Sequence, residues 1–198
     1  MLNVLKTLED RLGRSHLFKH SILQTSGTSE SLIEISYLNN SFFATGASGV
    51  ITSSNNGSSW TTQTSANTGY PYNIYDMAYG NSIYLFVTFD GTIKTSSNGT
   101  SWTNQGQITN DKHNSVTYGN GKFVVVGNAG VILTTTDGVN YTEQYHATSD
   151  TINQIAYGNG IFVAVTLNGR IFTSPDGTTW TSRTSGTTAA IIGITFTE

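Results

Sequence analysis

Four segments of this chain align without a gap: Tyr37 to Thr61, Tyr79 to Thr103, Tyr118 to Thr142 and Tyr157 to Thr181. The offsets are 42, 39 and 39 residues. A repeat of this length restricts the fold more than any single motif. Each unit is one supersecondary element that must bury its apolar face against copies of itself. Every copy opens on a tyrosine (Tyr37, Tyr79, Tyr118, Tyr157) and an Asn-containing turn, with a second aromatic at Phe42, Tyr84, Phe123 and Phe162. A β-branched or aromatic run follows, closed by Gly49, Gly91, Gly130 and Gly169. Ile51, Ile93, Ile132 and Ile171 come two residues later. A second turn carries Gly57, Gly99, Gly138 and Gly177, and then Trp60, Trp102, Tyr141 and Trp180.

Short runs of β-formers between Gly, Asn and Asp turns predict antiparallel hairpins. Four strands fit each copy. Strand a leads into the opening tyrosine, strand b follows the Asn turn, strand c holds the constant Ile, and strand d starts at the Trp or Tyr. The expectation is an all-β fold: a small β-propeller of four four-stranded blades over residues 25–198, with a possible partial fifth.

The turn between strands c and d has a recognisable form. Ser174-Pro175-Asp176-Gly177-Thr178-Thr179-Trp180 resembles an Asp box with one residue missing between Asp and Gly. Asn56, Asn98 and Asp137 hold the acid's place in the other copies. The chain is thus similar to the Asp-box, or bacterial neuraminidase, repeat family of propellers. That resemblance implies that Asn56, Gly57 and Trp60, Asn98, Gly99 and Trp102, Asp137, Gly138 and Tyr141, and Asp176, Gly177 and Trp180 are folding elements. The acid or amide would tie down its hairpin and the ring would pack between blades. Sialidase activity does not carry over. An arginine triad would be needed, and the repeats hold only Arg170 and Arg183; Glu outside residues 1–20 is limited to Glu30, Glu34, Glu143 and Glu198.

Composition excludes further classes. The net charge is −3. Residues 1–20 carry Lys6, Arg11, Arg14 and Lys19 against Glu9 and Asp10, which leaves 5 basic and 10 acidic groups in the repeats. An acidic body is a poor partner for nucleic acid. Cysteine is absent, so disulfides and thiolate sites are excluded. No apolar run is long enough to span a bilayer, and the N-terminus lacks a signal-peptide pattern. A soluble protein that inserts into no membrane is expected. No cofactor or metal is expected either: no phosphate-cradling glycine motif, HExxH or Ser/His/Asp signature is present.

The two ends echo each other. Thr25-Ser26-Gly27-Thr28 before Ile33-Glu34-Ile35-Ser36-Tyr37 resembles Thr184-Ser185-Gly186-Thr187 before Ile192-Gly193-Ile194-Thr195-Phe196, at an offset of 159 residues. The chain therefore has a spare strand a at its C-terminus. It could seal a small ring with N-terminal strands, join a partial fifth blade in which Leu17 to Thr25 supplies strand d, or pair with another subunit. Leu2, Leu5, Leu8 and Leu12 fall at helical spacing ahead of Gly13. Residues 1–24 are read as a helical arm, either capping the propeller or anchoring it to other virion proteins.

Residues that differ between copies are the candidates for ligand contact. Loops b–c and connections d–a share one propeller face, and they contribute Tyr70, Tyr72, Asn73, Phe89, Asp90, His113, Tyr145, His146 and Asn168. Aromatics beside amides and acids suit carbohydrate. Low charge, Ser/Thr/Asn richness and a short arm resemble phage virion proteins. The expected function is a non-enzymatic structural or binding module: a tail-fibre, receptor-binding or capsid-decoration protein located in the virion. It would present a propeller face to cell-surface glycan or protein and act as a homo-oligomer or part of a larger assembly. The alternatives are a glycan-processing hydrolase with acids drawn from Asp76, Asp90, Asp111 and Asp150, and a pure assembly protein with no ligand.

Overall fold

The computed structural model describes residues 25–63, 72–144 and 148–196. The expected helix over 2–13, the strand d from Leu17 to Thr25, and Tyr70, Tyr145 and His146 lie outside the described residues, apart from Thr25.

Among the described residues, four antiparallel sheets of four strands follow one another along the chain. Blade 1 comprises β1 (Leu32–Leu38), β2 (Ser41–Gly46), β3 (Ile51–Ser54) and β4 (Thr61–Gln63). Blade 2 comprises β5 (Ile74–Gly80), β6 (Ile83–Thr88), β7 (Thr92–Ser96) and β8 (Thr103–Gln107). Blade 3 comprises β9 (His113–Gly119), β10 (Lys122–Gly127), β11 (Ile132–Thr135) and β12 (Thr142–Glu143). Blade 4 comprises β13 (Ile152–Gly158), β14 (Ile161–Thr166), β15 (Ile171–Ser174) and β16 (Thr181–Arg183). This is a β-propeller with the meander order expected from the repeat.

Register is repeated as closely as sequence. Tyr79 faces Tyr84, Tyr118 faces Phe123 and Tyr157 faces Phe162 across the a–b pair. Their ring centroids lie 4.5–4.9 Å apart. Cross-strand aromatic pairs of this kind stabilise a hairpin and fix its register.

The core lies between blades. Phe43 and Ile51 of blade 1 join Ile74, Met77, Tyr84 and Phe86 of blade 2. Leu85, Val87 and Ile93 join Val116, Phe123, Val125 and Leu133. Val124, Val126 and Ile132 join Ile152, Ile155, Phe162, Ala164 and Phe172. Strand alternation explains this. Val124 faces one neighbour and Val125 the other, so strand b reads as a continuous apolar run because both faces are covered.

The shortened Asp boxes close the c–d turns on the opposite rim from the variable loops. The Asp176 carboxylate accepts the N–H groups of Thr178 and Thr179, both at 2.8 Å, while Ser174 Oγ accepts Gly177 N–H at 2.8 Å. Asn56, Asn98 and Asp137 accept the equivalent pairs at 2.8–3.0 Å. An amide oxygen serves as well as a carboxylate because the box needs an acceptor, not a charge. The glycines have φ of 70–74°, a left-handed conformation that disfavours a Cβ. Trp60 Nε1, Trp180 Nε1 and the Tyr141 hydroxyl return a bond to the glycine carbonyl. Trp102, Tyr141 and Trp180 each pack on the cluster between their own blade and the one before.

After blade 4 the chain continues as residues 191–196, which belong to no sheet among the described residues. They occupy the place of the next strand a. Ile194 N–H donates to Gln154 Oε1 at 2.8 Å, as Val116 N–H donates to Asp76 Oδ2 at 3.0 Å two blades earlier. Asn153 Nδ2 donates to Ile192 O at 2.8 Å, one residue along from the place of the Asn114 Nδ2 to Ile152 O bond (3.0 Å) in the blade before.

Candidate functional site

The innermost strands and the tail enclose a funnel of about 320 Å³. It is lined by the same two positions of strand a in successive copies. One position supplies Ile33, Tyr75, Asn114, Asn153 and Ile192; the next supplies Glu34, Asp76, Ser115 and Gln154. The funnel lies at the N-terminal ends of strands a, where the d–a connections enter. A second cavity of about 300 Å³ continues along the strands past Met77, Val116 and Ile155.

Asp76 forms the polar centre of the funnel. Its carboxylate accepts Met77 N–H at 2.7 Å, Ser115 Oγ–H at 2.6 Å and Val116 N–H at 3.0 Å. Burial nevertheless pushes it up to about 7, with the neighbouring Glu34 charge adding to the rise. Burial raises Glu34 as well. Two carboxyl groups on adjacent strands thus share a poorly solvated space, and the Glu34 charge makes ionisation of Asp76 costlier.

Tyr75 links the funnel to its lip. Its ring lies 6.0 Å from that of Phe89, and Lys112 Nζ sits 3.6 Å over the Phe89 ring. Phe89 remains 40% exposed. An aromatic wall therefore stands beside amides and acids, a combination that can stack on an apolar ligand face while bonding its polar groups.

The residues expected on the variable face divide into several groups. Phe89 and Tyr75 share the lip, and Asn73 holds them there by accepting Phe89 N–H through its carbonyl at 3.1 Å. Tyr72 is half-buried just before Asn73. Asp90 serves its own turn. Burial would raise its carboxyl, but hydrogen bonds from Thr88 and Thr92 hold it below the usual range. Asn168 donates to Asp150 Oδ1 at 2.9 Å, and Arg170 Nε lies 3.2 Å from Asp150 Oδ2. That group ties down the rim of blade 4. His113 is fully buried against Thr109 Oγ1 at 3.0 Å and offers no edge to the funnel. Burial pushes its imidazole down to about 4.

Sequence reasoning singled out the loops and passed over Glu34, Tyr75, Asn114, Asn153 and Gln154. A signal was available. Position a−3 before the opening aromatic reads Glu34, Asp76, Ser115 and Gln154, polar in every blade beside an apolar neighbour at Ile35, Met77, Val116 and Ile155. No group of three or more His, Cys, Asp or Glu placed to hold a metal occurs among the described residues. No described helix is long and apolar enough to cross a membrane.

Asp76 and His113 give opposite pH dependences. An unfolded Asp loses its proton near 3.8, but the folded Asp76 keeps it to about 7. Its contribution is complete below about pH 4 and is lost as pH rises through 7. His113 is neutral in the fold down to about 4 and titrates near 6.5 when unfolded. Its contribution is complete above 6.5 and lost as pH falls through 4. Between pH 4.5 and 6.5 the two slopes offset. Asp76→Asn should leave a Tm that rises with pH over this window, and His113→Gln a Tm that falls. Each slope should be worth about 2 kcal/mol, allowing for solvent that reaches Asp76 through the funnel. Thermal melts from pH 4.5 to 8 check this. Parallel curves for the wild type and both variants would refute the assignment.

No protein-family model matches the chain, and a comparison with curated proteins finds no match. Solved structures do match. YCF48 bound to D1 peptide aligns with a TM-score of 0.67 at 16% identity, covering 84% of this chain and 56% of that one. A catalytically inactive virginiamycin B lyase from Staphylococcus aureus with quinupristin aligns with a TM-score of 0.69 at 14% identity, covering 81% and 57%. A chain of a nidogen/laminin complex gives a TM-score of 0.64 at 12% identity, covering 77% and 64%. These likenesses show the propeller fold. The chain spans little more than half the length of the first two.

Proposed function

We propose that this protein is a non-catalytic binding propeller whose funnel takes a short, hydroxyl-rich glycan. The observation that carries the reading is the Tyr75–Phe89 aromatic wall, set beside the acids and amides that converge from successive strands a. Sugar rings have one apolar face and a rim of hydroxyls, which that arrangement matches. The low charge and the Ser, Thr and Asn richness support a particle-borne setting, such as a phage fibre tip or capsid decoration. A glycan array followed by calorimetry on the hits tests the proposal. Tyr75→Ala should weaken binding at least about tenfold, the scale of one lost stacking contact. Asp137→Ala, on the Asp-box rim, should leave binding unchanged. An array without hits, or affinity indifferent to Tyr75→Ala, would overturn the reading.

One observation favours a second reading. Glu34 and Asp76 are neighbouring acids whose carboxyls are both raised, and paired acids with perturbed ionisation are what glycan hydrolysis uses. The same array hits, incubated and assayed for new reducing ends, separate the two. Turnover that disappears in Asp76→Asn would replace the binding module by an enzyme.

A further inference from the structure

Equivalent apolar residues that face a neighbouring blade lose their cover at the two ends of the array. Met77, Val116 and Ile155 are 3–4% exposed, each packed on the preceding blade, but Ile35 at the same position of blade 1 is 57% exposed. Tyr118 and Tyr157 stand over Gly80 and Gly119 of the blade before, whereas Tyr37 is 60% exposed. At the other end, Phe43, Leu85 and Val124 are buried by the following blade, while their counterpart Val163 is only partly covered. Ile51, Ile93 and Ile132 are buried, and their counterpart Ile171 is not.

A single missing blade accounts for both faces, and its first strand is already seated. Phe196 stands over Gly158 as Tyr157 stands over Gly119. Ile192 lines the same funnel as Ile33, so the tail and blade 1 are the two banks of one gap. Among the described residues no strands b, c and d lie outboard of the tail.

We infer that this gap is the seat of the chain's own residues 1–24, which with 191–196 make a fifth blade. The sequence carries the match. Residues 1–24 align without a gap on 160–183, at the offset of 159 that relates 25–28 to 184–187. Val4, Thr7, Leu8, Arg11 and Ser15 fall on Val163, Thr166, Leu167, Arg170 and Ser174, and Leu12 falls on Ile171. The matched residues include working parts of blade 4, whereas Asp10, Leu17, Phe18 and Ser21 stand where blade 4 has Gly169, Asp176, Gly177 and Trp180, so the c–d box itself is not repeated. Thr166 Oγ1 accepts Arg170 N–H at 3.0 Å in the b–c turn, and Ser174 is the box serine. The chain also enters from the correct side. Ser26 O and Gly27 O accept the hydroxyls of Thr52 and Thr62, which places residue 25 beside β3 and β4 of blade 1, the bank facing the gap. This assignment is an alternative to the attachment arm expected of residues 1–24, because strands drawn into the ring would not be free to bind a particle. A ring whose last blade combines the two ends of the chain leaves neither end's apolar face in water.

The register makes the test specific. Ala156 pairs with Val163 across the a–b ladder of blade 4, so Thr195 should pair with Val4. The full chain has no cysteine. Val4→Cys combined with Thr195→Cys should form a disulfide within one chain under mild oxidation, read on a non-reducing gel and by peptide mass. Ala156→Cys with Val163→Cys is the positive control at the same repeat position. Failure of the first pair while the control closes would overturn the inference, and so would a disulfide formed only between chains, which would make a second copy the occupant. Hydrogen exchange gives a second reading. Amides 191–196 should exchange at least about 100-fold slower in the full chain than after deletion of residues 1–24. Equal rates would also overturn it.

Discussion

Gly119→Ala is expected to cost about 3 kcal/mol and to lower Tm by roughly 9 °C, on the scale of overpacking in a chain of this size. Gly119 ends β9 in extended backbone, so the reason is space rather than a special dihedral angle. A Cβ there would lie 2.1 Å from Cγ of Tyr157 in the next blade. Neither side can yield easily. The tyrosine is paired with Phe162 at 4.5 Å, and β9 is held in a ladder with β10. The same ring-on-glycine contact recurs at Gly80 with Tyr118 and at Gly158 with Phe196. It is how one blade is stacked on the next. Gly121→Ala is the comparison. Nothing lies within 4 Å of its Cβ position, but its φ is +76°, so only backbone strain of about 1 kcal/mol is expected. Urea melts of the two variants measure the difference. A Gly119→Ala protein as stable as the Gly121→Ala protein would mean that the ring does not rest on the glycine.

Phe123→Ala should cost about 4 kcal/mol, the usual loss for a buried phenylalanine. Phe123 is fully buried, packed with Val116 and Leu133 and against the Tyr118 ring at 4.9 Å. Phe42 holds the same repeat position in blade 1, beside Tyr37 at 4.8 Å and Trp60 at 6.4 Å, yet it is only half-buried. Phe42→Ala should cost about 1–2 kcal/mol once residues 1–24 are deleted, in proportion to the apolar area it then covers, and close to the Phe123→Ala loss in the chain that keeps them, where a fifth blade covers this position. Comparable losses for the two variants would show that blade 1 is packed as fully as blade 3.

These comparisons separate what repetition could reveal from what it could not. The four-strand unit was legible because local rules act within about 25 residues: aromatic pairs set a–b register, and glycines with positive φ close the c–d turns. The short Asp box was legible for the same reason, since all its hydrogen bonds are local. The funnel was less so. Asp76 reads in sequence as one acid among several, and its suppressed ionisation comes from burial among neighbouring strands and from the Glu34 charge, neither of which is local in the chain. His113 reads as a loop histidine, but its burial comes from how β9 enters the ring. Leu38 occupies the place of Gly80 and Gly119, and only packing shows that blade 1 and Tyr79 accept a larger side chain there.

By itself the sequence determined the blade: its strand order, its turns and the spacing that repeats it four times and then begins again at Ile192. It also determined that the tail would resemble strand a, because the residues that make such a strand are the same wherever it occurs. Tertiary structure alone decided where that tail sits and what it leaves uncovered. Ile35 and Met77 are equivalent by sequence, and only a preceding blade separates 57% exposure from 3%. Burial belongs to neighbours in space, and a ring makes neighbours of residues that the chain places farthest apart.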